Sequence, residues 1–506
     1  MIAIKERLTL WRQDKCKAAL WVGWLATVFF SFWADALGAI TVPAVGSVFP
    51  YRVFLPLTVA LYIVHAVRRR ENPWKDASAV EKWCYGFIVI LLVCGAASLF
   101  RALDTGHTFR RLFNLTLDLC FFYLALRLCK DKTLRRWTLA VLALSLGIHL
   151  LLGVYESVHR GIFRDIYNGY RRFYWFDRRY QHPVVTFANT NDYLASMLFS
   201  GAALLLAAGV HWERVRRHRG LLVLLAAWFS VQYFVTLAGG GRLVLAAMYV
   251  LAATFLAFLL LADRKRLWLG VLVLVLLGGV TFANRYHTIM PQIQTFLSEN
   301  FRAEDSPVSP DGQPDEEPSA PPAQTEDTPS LKDQFFEEDA ETGEMVLRQT
   351  GSSGVRTRLL IHAGKCFIES FGLGVGLGNT EILARDREVI AGGATWSIHC
   401  FLARLVADFG LFALVPLCAI ALLLLKRVWE ALRLRNGRSL GVAVLFFGVL
   451  LMFPIASTAS SDAQDLVAMW LYLAILTLFG ANSLTAPSGE ESGEDQSIPT
   501  LAESEV

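Results

Sequence analysis

The stretch "GGGRLVLAAMYVLAATFLAFLLLADRKR", residues 239–266, decides the fold. A glycine turn leads into Arg242, an apolar run follows from Leu243 to Ala262, and a charged cluster closes it. A helix rises about 1.5 Å per residue, so roughly 20 apolar residues cross the hydrocarbon of a bilayer. The same unit recurs outward in both directions. Apolar cores stand at 18–38, 51–67, 84–100, 112–129, 137–155, 191–210, 220–238, 242–262, 267–284, 401–425, 439–456 and 465–481, about twelve in all. Composition agrees, with 54% of 506 residues hydrophobic, 18% charged and a mean hydropathy of +0.43. The reading is an all-α polytopic membrane protein. "ADA" at 34–36 imitates a signal cleavage site, but the many spans after it mark 18–38 as an uncleaved first helix.

The connections between the cores fall into two sets. "KERLTLWRQDKCK", "RRRENPWK", "CKDKTLRRW", "ERVRRHR", "DRKR" and "KRVWEALRLRNGR" alternate along the chain, and all are short and basic. The positive-inside rule assigns this set, and with it both termini, to the cytoplasmic side. The other set is longer and faces outward. Its largest member is an extracytoplasmic loop at 285–398, between helices 9 and 10; it divides the spans into 1–284 and 399–482. Within it, 302–346 is Pro-rich and acidic, a composition that favours disorder, as does that of the tail 483–506. An amphipathic helix is expected at 352–370, with Arg358, His362, Lys365 and Glu369 on one polar stripe and Leu359, Leu360, Ala363 and Phe367 opposite. The basic residues lie in short clusters between spans, so no nucleic-acid partner is expected. The eight cysteines mostly sit in or beside apolar runs and form no disulfide framework.

Polar residues gather at the outward ends of spans. Arg242 follows the glycine turn, where it either binds phosphate through its planar fork or snorkels to the interface. "TFANTNDYLA" at 186–195 offers Asn189 and Asn191 as helix caps or as partners of sugar hydroxyls. "RDIYNGYRRFYWFDRRYQHP" at 164–183 interleaves Arg171, Arg172, Tyr174 and Trp175, either an interfacial aromatic belt or a platform for sugars and lipid phosphates. "GATWSIHCFLARLVADFG" at 393–410 places His399 at the mouth of a span, with Arg404 and Asp408 inside it. Four residues separate that pair, so they share a face and form a structural ion pair. His399 lies about half a turn away from Asp408 on the same helix and stands apart as a candidate base.

Taken in order, an arginine after a glycine turn, a large outer loop with Arg followed by "GVGLG", then "SIHCFL" and "DFGLF", resemble the O-antigen ligase and Wzy-type polymerase superfamily over roughly 180–425. "FPYR" at 49–52 and the Asn-rich entry are similar to its teichuronic acid biosynthesis branch in Gram-positive bacteria. The resemblance implies a GT-C-like membrane glycosyltransferase for cell-envelope polysaccharide. Such an enzyme moves a glycan from an undecaprenyl-pyrophosphate donor to an acceptor sugar at the outer face of the membrane. It implies pyrophosphate binding by Arg242, Arg358 and Arg356, and activation of the acceptor hydroxyl by His399. It implies inverting transfer with no metal and no cofactor, and other envelope assembly proteins as partners. The family pattern has Asn after the histidine where this chain has Cys400. The alternative is a transporter or flippase of lipid-linked glycans, which would show internal repeats and broken helices near the midplane.

The charge asymmetry predicts the orientation. Cysteines introduced at 302–346 should react with an impermeant thiol reagent in intact cells, whereas cysteines at 68–75 should react only after lysis. The reverse pattern would invert the protein.

Overall fold

Helices dominate because each apolar run satisfies its own backbone hydrogen bonds, as hydrocarbon requires. In a computed structural model, the residues described are 15–33, 40–42, 46–48, 50–158, 173–175, 178–180, 183–187, 190–279, 336–338, 345–347, 352–390, 397–433, 437–460 and 466–482. The helices are α1 (Lys15–Phe30), α2 (Pro50–Arg69), α3 (Ala79–Ser98), α4 (Thr105–Leu128), α5 (Lys132–Val158), α6 (Thr190–Val210), α7 (Arg219–Ala238) and α8 (Arg242–Ala262). After α9 (267–279) come α10 (Ser352–Glu369), α11 (Asn379–Asp386), α12 (Phe401–Phe409), α13 (Leu411–Arg433), α14 (Gly437–Ser457) and α15 (Val467–Asn482). Among the described residues, eight helices are long and apolar enough to cross a membrane: α2, α3 with its 3₁₀ extension to Arg101, α5, α6, α7, α8, α13 and α14.

Three antiparallel hairpins of three-residue strands complete the described structure: β1 (Ile40–Val42) with β2 (Gly46–Val48), β3 (Phe173–Trp175) with β4 (Arg178–Tyr180), and β5 (Phe336–Glu338) with β6 (Met345–Leu347). The third lies within 302–346 and at its edge, where composition predicts no secondary structure. The average hides a local pattern, since apolar Phe336 and Met345–Leu347 flank an acidic stretch of sequence. The rest of 302–346, and 483–506, lie outside the described residues.

The centre of the bundle is α6, with 83% of its apolar window buried. It packs against α5, α8, α14 and α15. Small residues let backbones approach. Trp228 lies where a Cβ on Gly201 would sit, and Leu445 where one on Gly209 would. Antiparallel α8 and α14 meet the same way, with Gly437 against Leu261, Gly441 against Phe258 and Ala262, and Gly448 against Thr254.

The two ends of the bundle differ. At the end carrying the short basic connections, charges are stitched between helices. Lys130 pairs with Glu81 at 2.8 Å, Arg127 with Glu71 at 3.1 Å, and Arg216 with Asp263 at 3.7 Å. Asp263 also accepts from the Trp212 indole at 3.0 Å. The opposite end carries α10, α11 and α12.

Here the structure departs from the predicted span 401–425. The helix stops at Phe409, Gly410 turns the chain, and the span proper begins at Leu411. Gly410 has φ 61° and ψ −142°, a region essentially reserved for glycine. Its missing side chain leaves room for the 372–374 backbone: a Cβ would lie 2.1 Å from the Gly372 carbonyl oxygen. That carbonyl accepts the Leu411 N–H at 2.8 Å, and Val375 N–H donates to Ala407 O at 2.9 Å. The glycines of "GLGVGLGN" therefore clasp the break; Gly374, at φ 83°, lies against Asp408 and Gly410.

Gly410→Ala should cost about 3 kcal/mol or more, from the forbidden dihedral and the backbone clash together. Gly147, helical and with nothing within 4 Å of an added Cβ, should accept alanine without loss. Thermal unfolding of the two variants in detergent compares them.

Candidate active site

The end opposite the basic connections brings together segments far apart in sequence. Helix α6 begins at Thr190, and Thr190 and Leu194 press on Gly239 and Gly241, each 2.7 Å from a would-be Cβ. The glycine turn before Arg242 is thus packed against the start of α6. Asp192, buried there, accepts from the Ser460 hydroxyl just past α14. The neighbouring Ala459 carbonyl accepts from Arg356 at 3.4 Å, and Thr458 donates to the Cys400 thiol at 3.5 Å. Residues 458–460 thereby link Asp192, Arg356 and the His399–Cys400 segment. His399 is half-buried immediately before α12.

Of the predicted phosphate-binding residues, Arg356 is tied to this junction by its bond to the Ala459 carbonyl. Burial pushes its pKa down, the mark of a partly desolvated cation. Arg358 is half-buried two positions along α10. Arg242 is exposed at the first residue of α8. Asn191 is half-buried beside Asp192. Tyr174 and Trp175 are in β3, in register with Arg179 and Arg178. Asn189, Arg171 and Arg172 lie outside the described residues.

The polar stripe expected on α10 is corrected at His362. It is only 3% exposed and sits with Leu359, Ala363 and Cys366 in a small core against α11 and α12. Its Nε2 donates to the Thr380 carbonyl at 3.1 Å, and burial lowers its pKa, favouring the neutral ring. Leu360, expected on the apolar side, is exposed. The contact face is set by where α11 and α12 pack, which helical periodicity does not reveal.

The ion pair also proves larger than expected. Arg404 is 1% exposed. Its Nε lies 3.8 Å from Asp408, but its Nη2 lies 3.1 Å from Glu381 of α11. Glu381 is shared further: Arg111 reaches both its oxygens at 2.8 and 2.9 Å, and His107 donates to it at 2.9 Å. Burial alone would raise the Glu381 pKa, but Arg404, His107 and Arg111 outweigh it and hold the carboxyl well below its usual range. Asp408 has the opposite balance. Burial pushes its pKa up, and Arg404 and the Thr380 hydroxyl offset only part of that. It accepts from Thr380 and from the Gly378 N–H at 3.4 Å. Glu381, Arg111 and His107 were missed from sequence. Spacing within α12 could pair Arg404 with Asp408, but nothing local joins 107, 111 and 381.

This geometry fixes the entry to α13 rigidly. The cluster locks α4, α11 and α12 together, and His399 precedes α12 directly. Among the described residues no group of three His, Cys, Asp or Glu side chains is placed to hold a metal.

No protein-family profile matches the chain. It is similar to the teichuronic acid biosynthesis protein TuaE of Bacillus subtilis (strain 168). The two are 20% identical over 439 residues, covering 85% of this chain and 78% of that protein.

The two buried carboxylates should respond differently to neutralisation. Glu381→Gln strands Arg404 and Arg111 and should cost about 3–5 kcal/mol, read as a large fall in the unfolding temperature in detergent. Asp408→Asn keeps an acceptor for Thr380 and resembles the protonated acid that burial favours, so it should cost under about 1.5 kcal/mol. Equal losses would refute the assigned hierarchy.

Proposed function

We propose that the protein is a membrane glycosyltransferase of the O-antigen ligase and polymerase type, acting in cell-surface polysaccharide biosynthesis. It has twelve spans, with both termini cytoplasmic and the end carrying α10–α12 extracytoplasmic. The donor is a glycan on undecaprenyl pyrophosphate, and the acceptor is a sugar hydroxyl of a second glycan. What supports the reading is the convergence of Arg356 and of Cys400, the residue next to His399, on the 458–460 turn, at the end of the bundle away from the basic connections. The likeness to a teichuronic acid biosynthesis protein supports the pathway class.

The chemistry follows from the parts. A pyrophosphate leaving group carries negative charge at the membrane surface, and fixed guanidinium groups stabilise it as it departs. Arg356, Arg358 and Arg242 supply that charge. The acceptor oxygen attacks the anomeric carbon from the opposite face, so the configuration inverts. One C–O bond forms, the C–O bond to pyrophosphate breaks, and the hydroxyl proton passes to the neutral His399 ring. The carrier pyrophosphate leaves with the bonding electron pair. Asn191, with Asn189 and the 171–175 segment, contributes contacts to the sugars. Glu381, Arg404 and Asp408 hold α12 in place and do not touch substrate.

His399→Ala should lower transfer by about 100- to 10,000-fold while the protein remains in the membrane at normal abundance. Arg358→Lys keeps the charge but loses the bidentate fork, so it should also reduce transfer. The measurement is glycan profiling of a deletion strain complemented with each variant. Loss of chain length with retained single units marks a polymerase; full-length carrier-linked glycan that accumulates marks a ligase. Full activity of His399→Ala would overturn the base assignment, and accumulation of donor on the cytoplasmic face would favour a flippase.

A further inference from the structure

Two of the most exposed large apolar side chains among the described residues are Phe100, 93% exposed, and Phe371, 92% exposed. Phe100 ends the span of α3, and Phe371 follows α10, two residues after its last helical position. Both belong to the end that holds the buried charge cluster. The elements are joined there: Leu377 N–H donates to Ser98 Oγ at 3.0 Å, Leu377 packs against Gly95, and Gly372 O accepts from Leu411.

Phe371 carries a second anomaly. Its φ is +54°, the left-handed conformation normally taken by glycine after a helix. The helix-closing bonds are present, with Gly372 N–H on Phe367 O and Phe371 N–H on Ile368 O, both 2.9 Å. A bulky aromatic thus stands where glycine would be easier, and it stays 92% exposed there. Neighbouring residues continue the pattern. Ile361, Ile368 and Phe371 fall at i, i+7 and i+10 on α10 and its cap, with Gly364 between, and Leu373 follows; the four apolar side chains are exposed. Beyond the Gly372–Leu411 contact, the stripe runs on into Leu411, Phe412, Val415 and Leu422, the exposed face of the α13 span. On α3, Phe100 similarly extends the exposed face formed by Val89 and Val93.

We propose that Ile368, Phe371 and Leu373, together with Phe100, are immersed in the acyl chains of the bilayer leaflet at this end, so that α10 lies on the membrane as an interfacial helix. The occupant is phospholipid hydrocarbon, because the patch is continuous with the lipid-facing surface of two spans and shares their apolar chemistry. Lys365 and Glu369, exposed on the same helix, stay at the polar boundary, Glu369 paired with Arg387 at 2.8 Å. A surface anchored this way holds α10, and so Arg356 and Arg358, at headgroup level. The proposal rests on the membrane-spanning reading of α3 and α13 but not on glycosyl transfer.

The test is photo-crosslinking of the full-length protein in native membranes, with p-benzoylphenylalanine in place of Phe371 and, separately, in place of Ile368 and Phe100. Irradiation followed by mass spectrometry of the purified chain should show phospholipid acyl adducts at all three positions. Adducts to another protein, to another segment of this chain or to a polyprenyl lipid in place of phospholipid would overturn the proposal. So would the absence of any lipid adduct together with ready quenching of the probe by water-soluble reagents. A polyprenyl adduct would sink the bilayer reading while leaving the glycosyltransferase proposal standing.

Discussion

Arg404 stands between two carboxylates, and the end of the bundle opposite the basic connections is built around it. A guanidinium at 1% exposure cannot be left unpaired in a low-dielectric interior. Glu381 at 3.1 Å and Asp408 at 3.8 Å supply the compensation, and Arg111 and His107 complete the set on Glu381. The donors and acceptors come from α4, α11 and α12, so the cluster forms only when those three helices meet. It sits ahead of Gly410 rather than inside the span that follows, so the Leu411–Arg433 span carries none of these side chains. The break at Gly410 and the charge cluster are therefore two parts of one arrangement: the break ends the polar helix, and the cluster anchors it.

Glycine serves a packing purpose at this end. Gly374, Gly376, Gly378 and Gly410 all take positive φ, and the first and last approach each other's backbone more closely than any side chain would permit. Gly239 and Gly241 make room for Thr190 and Leu194 in the same manner. In each case the missing Cβ brings two chain segments into contact, and the ends of α6, α8, α12 and α14 converge as a consequence. Ligand approach is not needed to explain any of these glycines. The polar groups they gather, Asp192, Arg356, Cys400 and the 458–460 turn, are linked to one another by hydrogen bonds.

The two faces of α10 show how one short helix can serve two solvents. Leu359, His362, Ala363 and Cys366 close a small core with α11 and α12, while Ile361 and Ile368 point away from protein. A single polar stripe against a single apolar stripe would suit a helix lying on water. The observed division suits a helix gripped by protein on one side and facing an apolar medium on the other. His362 belongs with the core because its ring nitrogen satisfies the Thr380 carbonyl there.

The sequence by itself determined the class of the protein and the position of its helices. Apolar length and the alternation of basic connections are local quantities; a described helix overlaps each predicted apolar core, and eight of the described helices are long and apolar enough to span. It also placed a helix at 352–370 within a residue of its observed end, from serine before the periodic run and glycine after it. The tertiary structure alone decided what pairs with what. His107 and Arg111 lie some 270 residues before Glu381, so no periodicity relates them. Hydropathy ran α12 and α13 together because Gly410 is a single residue in an apolar run, and only its φ and ψ reveal the break. Whether Ile368 and Phe371 face protein or lipid was equally out of reach, since an apolar side chain suits both environments and only its neighbours choose between them.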